Sequence, residues 1–262
     1  MTNAALHVAR TGLDAQNMRM RVIANNLANV NTTGFKRDRA SFETLAYQSV
    51  TAAGAASSDA TKFATGTSLG SGVQINGTAK VDIQGSMQQT GNALDMAIQG
   101  SGFFQVQMPD GRTGYTRDGG FSLSSEGTIV NSEGYQLQPQ IQIPQGAGNI
   151  TIAEDGTVSV KLAGQNDSTE VGKIETARFT NPAGLEAVGN NMLVETAASG
   201  QPQVGAANAD GRGAIEQGSL EASNVNIVEE LVDMIETQRA YEVNSKMIQS
   251  TDQMLQYVNQ NI

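Results

Sequence analysis

The chain has 262 residues, enough for one large domain or two small ones with a real core. Its net charge is −10 and its basic residues are scattered outside the N-terminal segment, which argues against nucleic acid as the main partner. It has no cysteine, so it can form neither a disulfide nor a thiolate metal site.

No apolar run approaches 18 residues, so no membrane-spanning helix and no membrane insertion are expected. Asn3, His7, Arg10 and Asp14 interrupt the N-terminus, so no cleavable leader is expected. Export, if it occurs, would use a route that leaves the N-terminus uncut. Aromatics are only 5% and glycines number 29, which predicts many turns and short strands.

The spacing predicts a first helix over residues 3–30. Leu6, Ala9, Leu13, Gln16, Met20, Ile23, Leu27 and Val30 recur in alternating steps of three and four. That is a 3.5-residue period, the pattern of a helix lying along another helix. Asn25, Asn26, Asn29 and Asn31, then Thr32, Thr33 and Gly34, predict a stop and a turn. Lys36, Arg37 and Arg39 follow as a small basic cluster, read as solvated surface.

Residues 49–72 differ in composition: nineteen of the 24 are Ala, Gly, Ser or Thr. Alone, such a segment reads as a flexible linker with too little apolar bulk to pack. From Val73 to about Val204 the apolar period becomes two, as at Val73/Ile75, Val81/Ile83, Ile150/Ile152 and Val158/Val160. Turn dipeptides punctuate it: Asn76-Gly77, Asp110-Gly111, Asp118-Gly119, Glu126-Gly127, Glu133-Gly134 and Asp155-Gly156. Ile152 to Val158 is the clearest hairpin. This predicts an all-β domain, sandwich or small barrel, inserted between the terminal segments.

The last stretch, Asn226–Ile262, carries the longest pattern. Ile227, Leu231, Met234, Gln238, Tyr241, Ser245, Ile248, Asp252, Leu255, Asn259 and Ile262 hold a 3.5-residue period over five heptads. A second seam, Ala240, Val243, Met247, Ser250, Met254 and Tyr257, runs beside it. Asn226 is placed as N-cap, with Glu229 as its capping-box partner. Residues 1–40 hold six bases against two acids, net +4; residues 221–262 hold seven acids against two bases, net −5. Opposite charge favours pairing of the two terminal helices. The fold class is therefore α+β: long N- and C-terminal helices pairing as a coiled coil, with an inserted all-β domain. The expected divisions are 1–30 with 225–262, a connecting segment of 31–72 with 205–224, and an outer β-domain of 73–204. The alternative is two amphipathic helices folded onto one globular core.

Candidate chemistry is thin. Gly66-Thr-Ser-Leu-Gly70 matches the G-x-S-x-G elbow but lacks a preceding strand pattern, and the single histidine, His7, precedes the serine. His7 reads as surface or subunit interface. One histidine without cysteine needs three carboxylates to hold zinc. The isolated G-x-G triplets lack a third glycine and a following helix. No catalytic constellation, cofactor site or metal site is expected.

Three separated stretches resemble a known family. Ala24-Asn-Asn-Leu-Ala-Asn-Val-Asn-Thr-Thr-Gly-Phe-Lys36 resembles the N-terminal motif of bacterial flagellar rod and hook proteins. Gly100-Ser-Gly-Phe-Phe-Gln-Val106 and Tyr115-Thr-Arg-Asp-Gly-Gly-Phe121 resemble that family's β-domain motifs. Ser223 to Lys246, then Thr251 to Leu255, is similar to its C-terminal motif. Length, the Ala/Ser-rich segment and the Gln238-Arg-Ala-Tyr-Glu242 run point to the distal-rod branch.

The resemblance implies a structural, non-enzymatic subunit that polymerises into a helical tube transmitting torque from motor to hook. It implies export through the flagellar type III apparatus and a rod spanning the periplasm. Partners implied are further copies of the chain, proximal rod proteins, a hook or hook-side axial protein, the P- and L-ring proteins, the rod cap and the export apparatus. The segment matching 49–72 would be an ordered element that stiffens the rod. The expected assembly residues are Leu6, Leu13, Met20, Ile23, Leu27, Ile227, Leu231, Met234, Tyr241, Ile248 and Leu255. The competing readings are a peptidoglycan hydrolase and a secreted tube-forming or adhesive module without a motor role.

Overall fold

The structure, a computed structural model, describes residues 2–52, 54, 56–58, 61–62, 64–162 and 167–260. Parts of the 49–72 segment and Ile262 lie outside the described residues. The chain divides into two compact units: Met1–Leu27 with Asp38–Ala79 and Ile227–Ile262, and Ala28–Arg37 with Lys80–Asn226.

The first unit holds both helices. Helix α1 spans Thr2–Ala28 and helix α2 spans Ile227–Gln260. The α1 seam is covered as its period requires: Ala9 and Ile23 are buried, and Leu6, Leu13, Gln16, Met20 and Leu27 are half-buried. Helix α2 begins one residue after Asn226, with Glu229 and Glu230 in its first turn, where the amide dipoles favour acids. No glycine or proline follows Gly218, so nothing interrupts α2.

Between the helices in sequence, the same unit carries a β-arm. Strand β1 (Asp38–Thr44) and strand β2 (Tyr47–Thr51) lead out to the short strands β3 (Ala56–Ser58) and β4 (Thr61–Lys62). Strands β5 (Thr67–Gly70) and β6 (Val73–Lys80) return. The pairings nest: β1 with β6, β2 with β5, β3 with β4. Tyr47 faces Gly70 and Ser49 faces Ser68, and the Leu45 amide donates to the Gly72 carbonyl at 2.9 Å. The segment whose composition alone reads as a flexible linker thus carries paired strands among its described residues, β2 with β5 and β3 with β4. Its bonds are main-chain bonds, which small side chains do not oppose. Two sequence expectations change here. Asn76-Gly77 lies inside β6 rather than at a turn, and β6 closes the arm by pairing with β1.

The second unit is antiparallel β. Strand β7 is Met87–Gln89, β8 is Met96–Gln99, β9 is Phe103–Gln107 and β10 is Thr113–Thr116. Strand β9 pairs with β10 along one edge and with Gln136–Gln138 and Glu175–Arg178 along the other. Both faces of β9 are covered. Phe104 and Val106 enter one core with Met96, Ile98 and Ile174, whereas Phe103 enters a second with Tyr115 and Phe179. That explains why Phe103-Phe-Gln-Val106 does not alternate cleanly.

The turn dipeptides divide. Asp110-Gly111, Glu126-Gly127, Glu133-Gly134 and Asp155-Gly156 all place glycine at φ between 79° and 88°, as tight turns require. Ile152 pairs with Val158 across the last of them, as expected. Asp118-Gly119 is not such a turn. A Cβ on Gly119 would collide with the Met96 carbonyl, so this glycine permits close approach of two backbone segments. Val81 and Ile83, read as strand, fall in the irregular connection before β7.

Candidate functional site

Three features of the first unit bear on what the chain can do. The first is a polar clamp at Asn26. Its side chain is buried; it accepts from the Asp38 amide at 2.8 Å and donates to the Asp38 carbonyl at 2.9 Å. The same amide nitrogen lies 3.2 Å from the Glu230 carboxylate. One residue therefore ties α1 to the root of the arm and to α2. Further along α1, the Thr11 hydroxyl accepts from the Val73 amide at 3.3 Å, and His7 Nδ1 lies 3.2 Å from the Ser71 carbonyl oxygen. His7 is exposed, and its contact anchors the returning strand.

The second feature is the facing of the helices. Arg19 pairs with Asp233 at 3.2 Å, and a Cβ on Gly12 would touch the Asn244 side chain. With Asn26 on Glu230, these contacts set α1 and α2 antiparallel. The covered residues of α2 are Glu230 and Thr237, with Asp233, Met234, Ala240, Asn244, Ser245, Ile248 and Thr251 half-covered. Glu230, Thr237, Asn244 and Thr251 are seven apart. The best-covered line of α2 is therefore polar, with Met234, Ser245 and Ile248 of the apolar seam half-covered beside it.

The third feature follows directly. Ile227, Leu231 and Tyr241 are exposed, as are Val232, Ile235, Val243, Met247 and Met254. Met234 and Ile248 are half-buried, and the Leu255 side chain lies outside those described. Of the α1 residues expected at the assembly contact, Ile23 is buried within the unit and Leu6, Leu13, Met20 and Leu27 are half-buried. Sequence reasoning found the apolar period of α2 but not the clamp. The only available signal was an Asn-rich helix end and an acidic first turn.

The second unit has its own buried polar centre. Glu221, 1% exposed, accepts from Lys36 Nζ at 2.6 Å, Arg117 Nη1 at 3.2 Å and the Gly85 amide at 2.9 Å. Lys36 Nζ also donates to the Ile83 carbonyl at 2.7 Å, and Arg117 donates to the carbonyls of Ile98 and Gly100. Burial pulls the Lys36 pKa below its ordinary value, and the Glu221 carboxylate opposes that pull. Lys36 was expected in a solvated cluster; it is buried because Glu221 and the Ile83 carbonyl replace its water. The Gly34 amide donates to the Glu221 carbonyl at 2.8 Å, which brings the chain past this centre.

None of this is catalytic machinery. Ser68 of the G-x-S-x-G match lies on exposed strand β5 opposite Ser49, so it forms no strand-to-helix elbow. An open cleft of about 670 Å³ beside β10 is lined by Arg112, Thr113, Tyr115 and Glu195 and holds no histidine to act as their base. Among the described residues no His, Asp and Glu cluster could hold a metal ion, and no helix is long and apolar enough to cross a membrane.

Comparison with known proteins agrees with this geometry. Residues 6–36 match the flagella basal body rod protein family. Residues 97–160 match the flagellar hook protein FlgE/F/G D1 domain, and residues 216–261 match the flagellar basal body rod FlgEFG protein C-terminal family. The chain is 48% identical over 256 residues to the flagellar basal-body rod protein FlgG of Buchnera aphidicola subsp. Acyrthosiphon pisum, covering 98% of each chain. It is 48% identical to FlgG of Borreliella burgdorferi over 257 residues, 97% of each. To FlgF of Caulobacter vibrioides it is 36% identical over 89% of this chain and 87% of that one. Asn26 and Lys36 lie in the first matched stretch, Arg117 in the second, and Glu221 and Glu230 in the third.

Proposed function

This chain belongs to the flagellar basal-body rod protein family and is a structural, non-enzymatic protein of the distal rod, and from that premise we propose how it assembles. Copies polymerise through the terminal helices into a helical tube that carries torque from motor to hook. The observation that carries this is the exposed apolar surface of α2, on which Ile227, Leu231 and Tyr241 face solvent. A single subunit gains nothing from such a surface. Apolar area left in water costs about 25 cal/mol per Å² relative to burial, so neighbouring copies have a driving force to cover it.

The pairing of α1 with α2 as a coiled coil belongs to this reading. Their antiparallel contacts and their opposite net charges support it. The half-covered residues Leu6, Leu13, Met20, Leu27, Met234 and Ile248 would complete their burial against adjoining copies, and Leu255 would extend the same face. The proximal rod, a hook-side axial protein, the P- and L-rings and the rod cap are the neighbours. The subunit travels through the flagellar export apparatus to a rod that spans the periplasm. The arm of strands β1–β6 is the element that makes the tube stiff. Its exposed Tyr47, Val50 and Leu69 give it apolar contacts to offer a neighbour.

The test is electron microscopy of the purified full chain at high concentration, with basal bodies from cells lacking it as the comparison. Straight tubes, and basal bodies that stop short of the hook, are expected. Monomers at every concentration, together with complete rods in the deletion strain, would overturn the reading.

A further inference from the structure

The cleft beside β10 has polar groups on its floor that the fold leaves unsatisfied. Gln105 and Tyr115 are direct partners across the β9–β10 ladder, so their side chains stand together on one face. Both are deeply buried, at 7% and 3% exposure, and both line the cleft of about 670 Å³. The Tyr115 ring packs edge-on against Phe179, with centroids 4.8 Å apart. Among the described residues, neither the Gln105 amide nor the Tyr115 hydroxyl has a hydrogen-bond partner. Buried polar groups are nearly always paired, and an unpaired one costs free energy. Two of them side by side under an open cleft call for a partner from outside the chain.

We propose that this cleft is a binding groove for a neutral, hydroxyl-rich chain, a saccharide of several rings. The proposal goes beyond the assembly reading and does not rest on it. The shape fits a chain. The cleft is within the usual size range of ligand sites, and a second hollow of about 400 Å³ continues it past Glu195 and Gln201, which line both. The polar groups fit hydroxyls. Gln105, Gln201, Thr113 and Tyr115 offer amides and hydroxyls, which pair with groups able both to donate and to accept. Burial, and then the Glu195 charge, raise the Tyr115 pKa, so its hydroxyl remains a donor. The Glu195 carboxylate can accept from two neighbouring hydroxyls at once. Val194, Pro202 and Val204 give apolar ground for the C–H face of a ring. Charge fits a neutral ligand. Arg112 and Glu195 line the cleft with opposite signs, and Asp110 holds Arg112 at 2.6 Å, so a net charge of either sign on the ligand meets opposition. An extended peptide fits less well, because it docks by adding a strand to a free main-chain edge. Beneath this floor β9, β10 and Met192–Val194 are each paired on both sides, so they offer none.

The test is binding of defined probes to the full chain, read by calorimetry and by amide NMR shifts of Gln105, Thr113 and Val194. The probes are the neutral tetrasaccharides chitotetraose, cellotetraose and maltotetraose, the anionic tetragalacturonate, and a tetra-alanine peptide blocked at both ends. At least one neutral tetrasaccharide should bind saturably and shift those amides. Tyr115→Phe and Gln105→Met should each weaken that binding about tenfold, the loss of one hydrogen bond. Both variants should melt no lower than the wild type, because the groups removed have no partner within the fold. Gln201→Ala, at the exposed rim, should weaken binding without touching the core. Binding unchanged in all three variants would overturn the proposal. So would saturable binding of the peptide or of tetragalacturonate in place of the neutral probes. No saturable binding of any neutral tetrasaccharide at millimolar concentration would overturn it as well.

Discussion

Lys36 and Glu221, 185 residues apart in sequence, meet as an ion pair of 2.6 Å in which neither side chain is more than 6% exposed. Arg117 joins them through the second carboxylate oxygen. One residue comes from each of three separate stretches of the chain. Removing one charge leaves the others buried without compensation, which typically costs about 3–5 kcal/mol. Glu221→Gln is therefore expected to destabilise the β-unit by that order, seen in urea unfolding of the full chain. Replacing all three with apolar residues of similar size should cost less than Glu221→Gln alone, because no charge is then stranded. If Glu221→Gln unfolds at the wild-type urea concentration, the cluster is not holding the unit together.

Backbone proximity makes the next prediction. Gly119 lies where a Cβ would run into the Met96 carbonyl, and Met96 is fully buried. Neither partner is the loose end of a side chain, so the main chain itself must shift. Gly119→Ala should cost about 1–3 kcal/mol or more by forced displacement of a packed core. Gly134→Ala is the comparison. It carries backbone strain at φ 83° but meets nothing within 4 Å, so its loss should be smaller.

The Asp155 turn predicts a pH effect with a definite sign. Lys173 and the Thr157 donors hold the Asp155 carboxyl at about 2. A carboxylate whose folded pKa lies below its unfolded value stabilises the fold above the unfolded pKa. That contribution disappears as pH falls through the folded value. The contribution of this hairpin turn should therefore be complete above about pH 4 and fade toward pH 2. A carboxyl-carbon NMR titration should place the Asp155 midpoint near the low end of that window. Lys173→Met should move it back toward the ordinary carboxylate range.

Much of this architecture was legible in the sequence, and the parts that were not share a cause. The α1 seam, the long α2, the glycine turns and the Ile152–Val158 hairpin are local patterns, and local periodicity and turn chemistry specify them. Lys36 was read as surface because a lysine beside two arginines usually is. Its burial depends on Glu221 and Arg117, whose positions only the tertiary fold supplies. The covered seam of α2 was missed for the same reason. Asn26 and Arg19 draw Glu230 and Asp233 inward, and these polar partners displace the apolar residues to the outside. Residues 49–72 looked unstructured because composition reports side chains, whereas the ladder between β2 and β5 is made by main-chain groups.

The arm gives the fourth prediction. An isolated two-stranded ribbon is marginal in water. The ribbon here is rooted on α1 by Asn26 and Thr11 and exposes Tyr47, Val50 and Leu69 beyond that root. Deleting residues 49–72 should leave the β-unit melting as before, because Phe104, Met96 and Ile174 are untouched. Tubes built from the deleted chain should bend more. Unchanged persistence length in electron micrographs would place the stiffness elsewhere.

The helices allow the sharpest separation of folding from assembly. Leu231 is 42% exposed in the subunit, so an aspartate there already reaches water. Its cost to the folded monomer should be about 0.5 kcal/mol or less, the usual range for a surface change. In the tube the same carboxylate would be enclosed by a neighbour's apolar patch. Burying it unpaired costs several kcal/mol and recurs at every contact. Leu231→Asp should therefore melt like the wild type, form no tubes and leave cells non-motile. Leu13 and Ile248 are half-buried in the helical unit, so Leu13→Asp and Ile248→Asp should weaken both that unit and the assembly. Ser132→Asp, an added charge in an exposed turn of the β-unit, should change neither. Differential scanning calorimetry of monomers and sedimentation of assembled material distinguish these outcomes. Normal tubes from Leu231→Asp would remove the exposed face of α2 from the assembly contact. A collapsed β-unit transition in Ile248→Asp would make α2 an ordinary core helix.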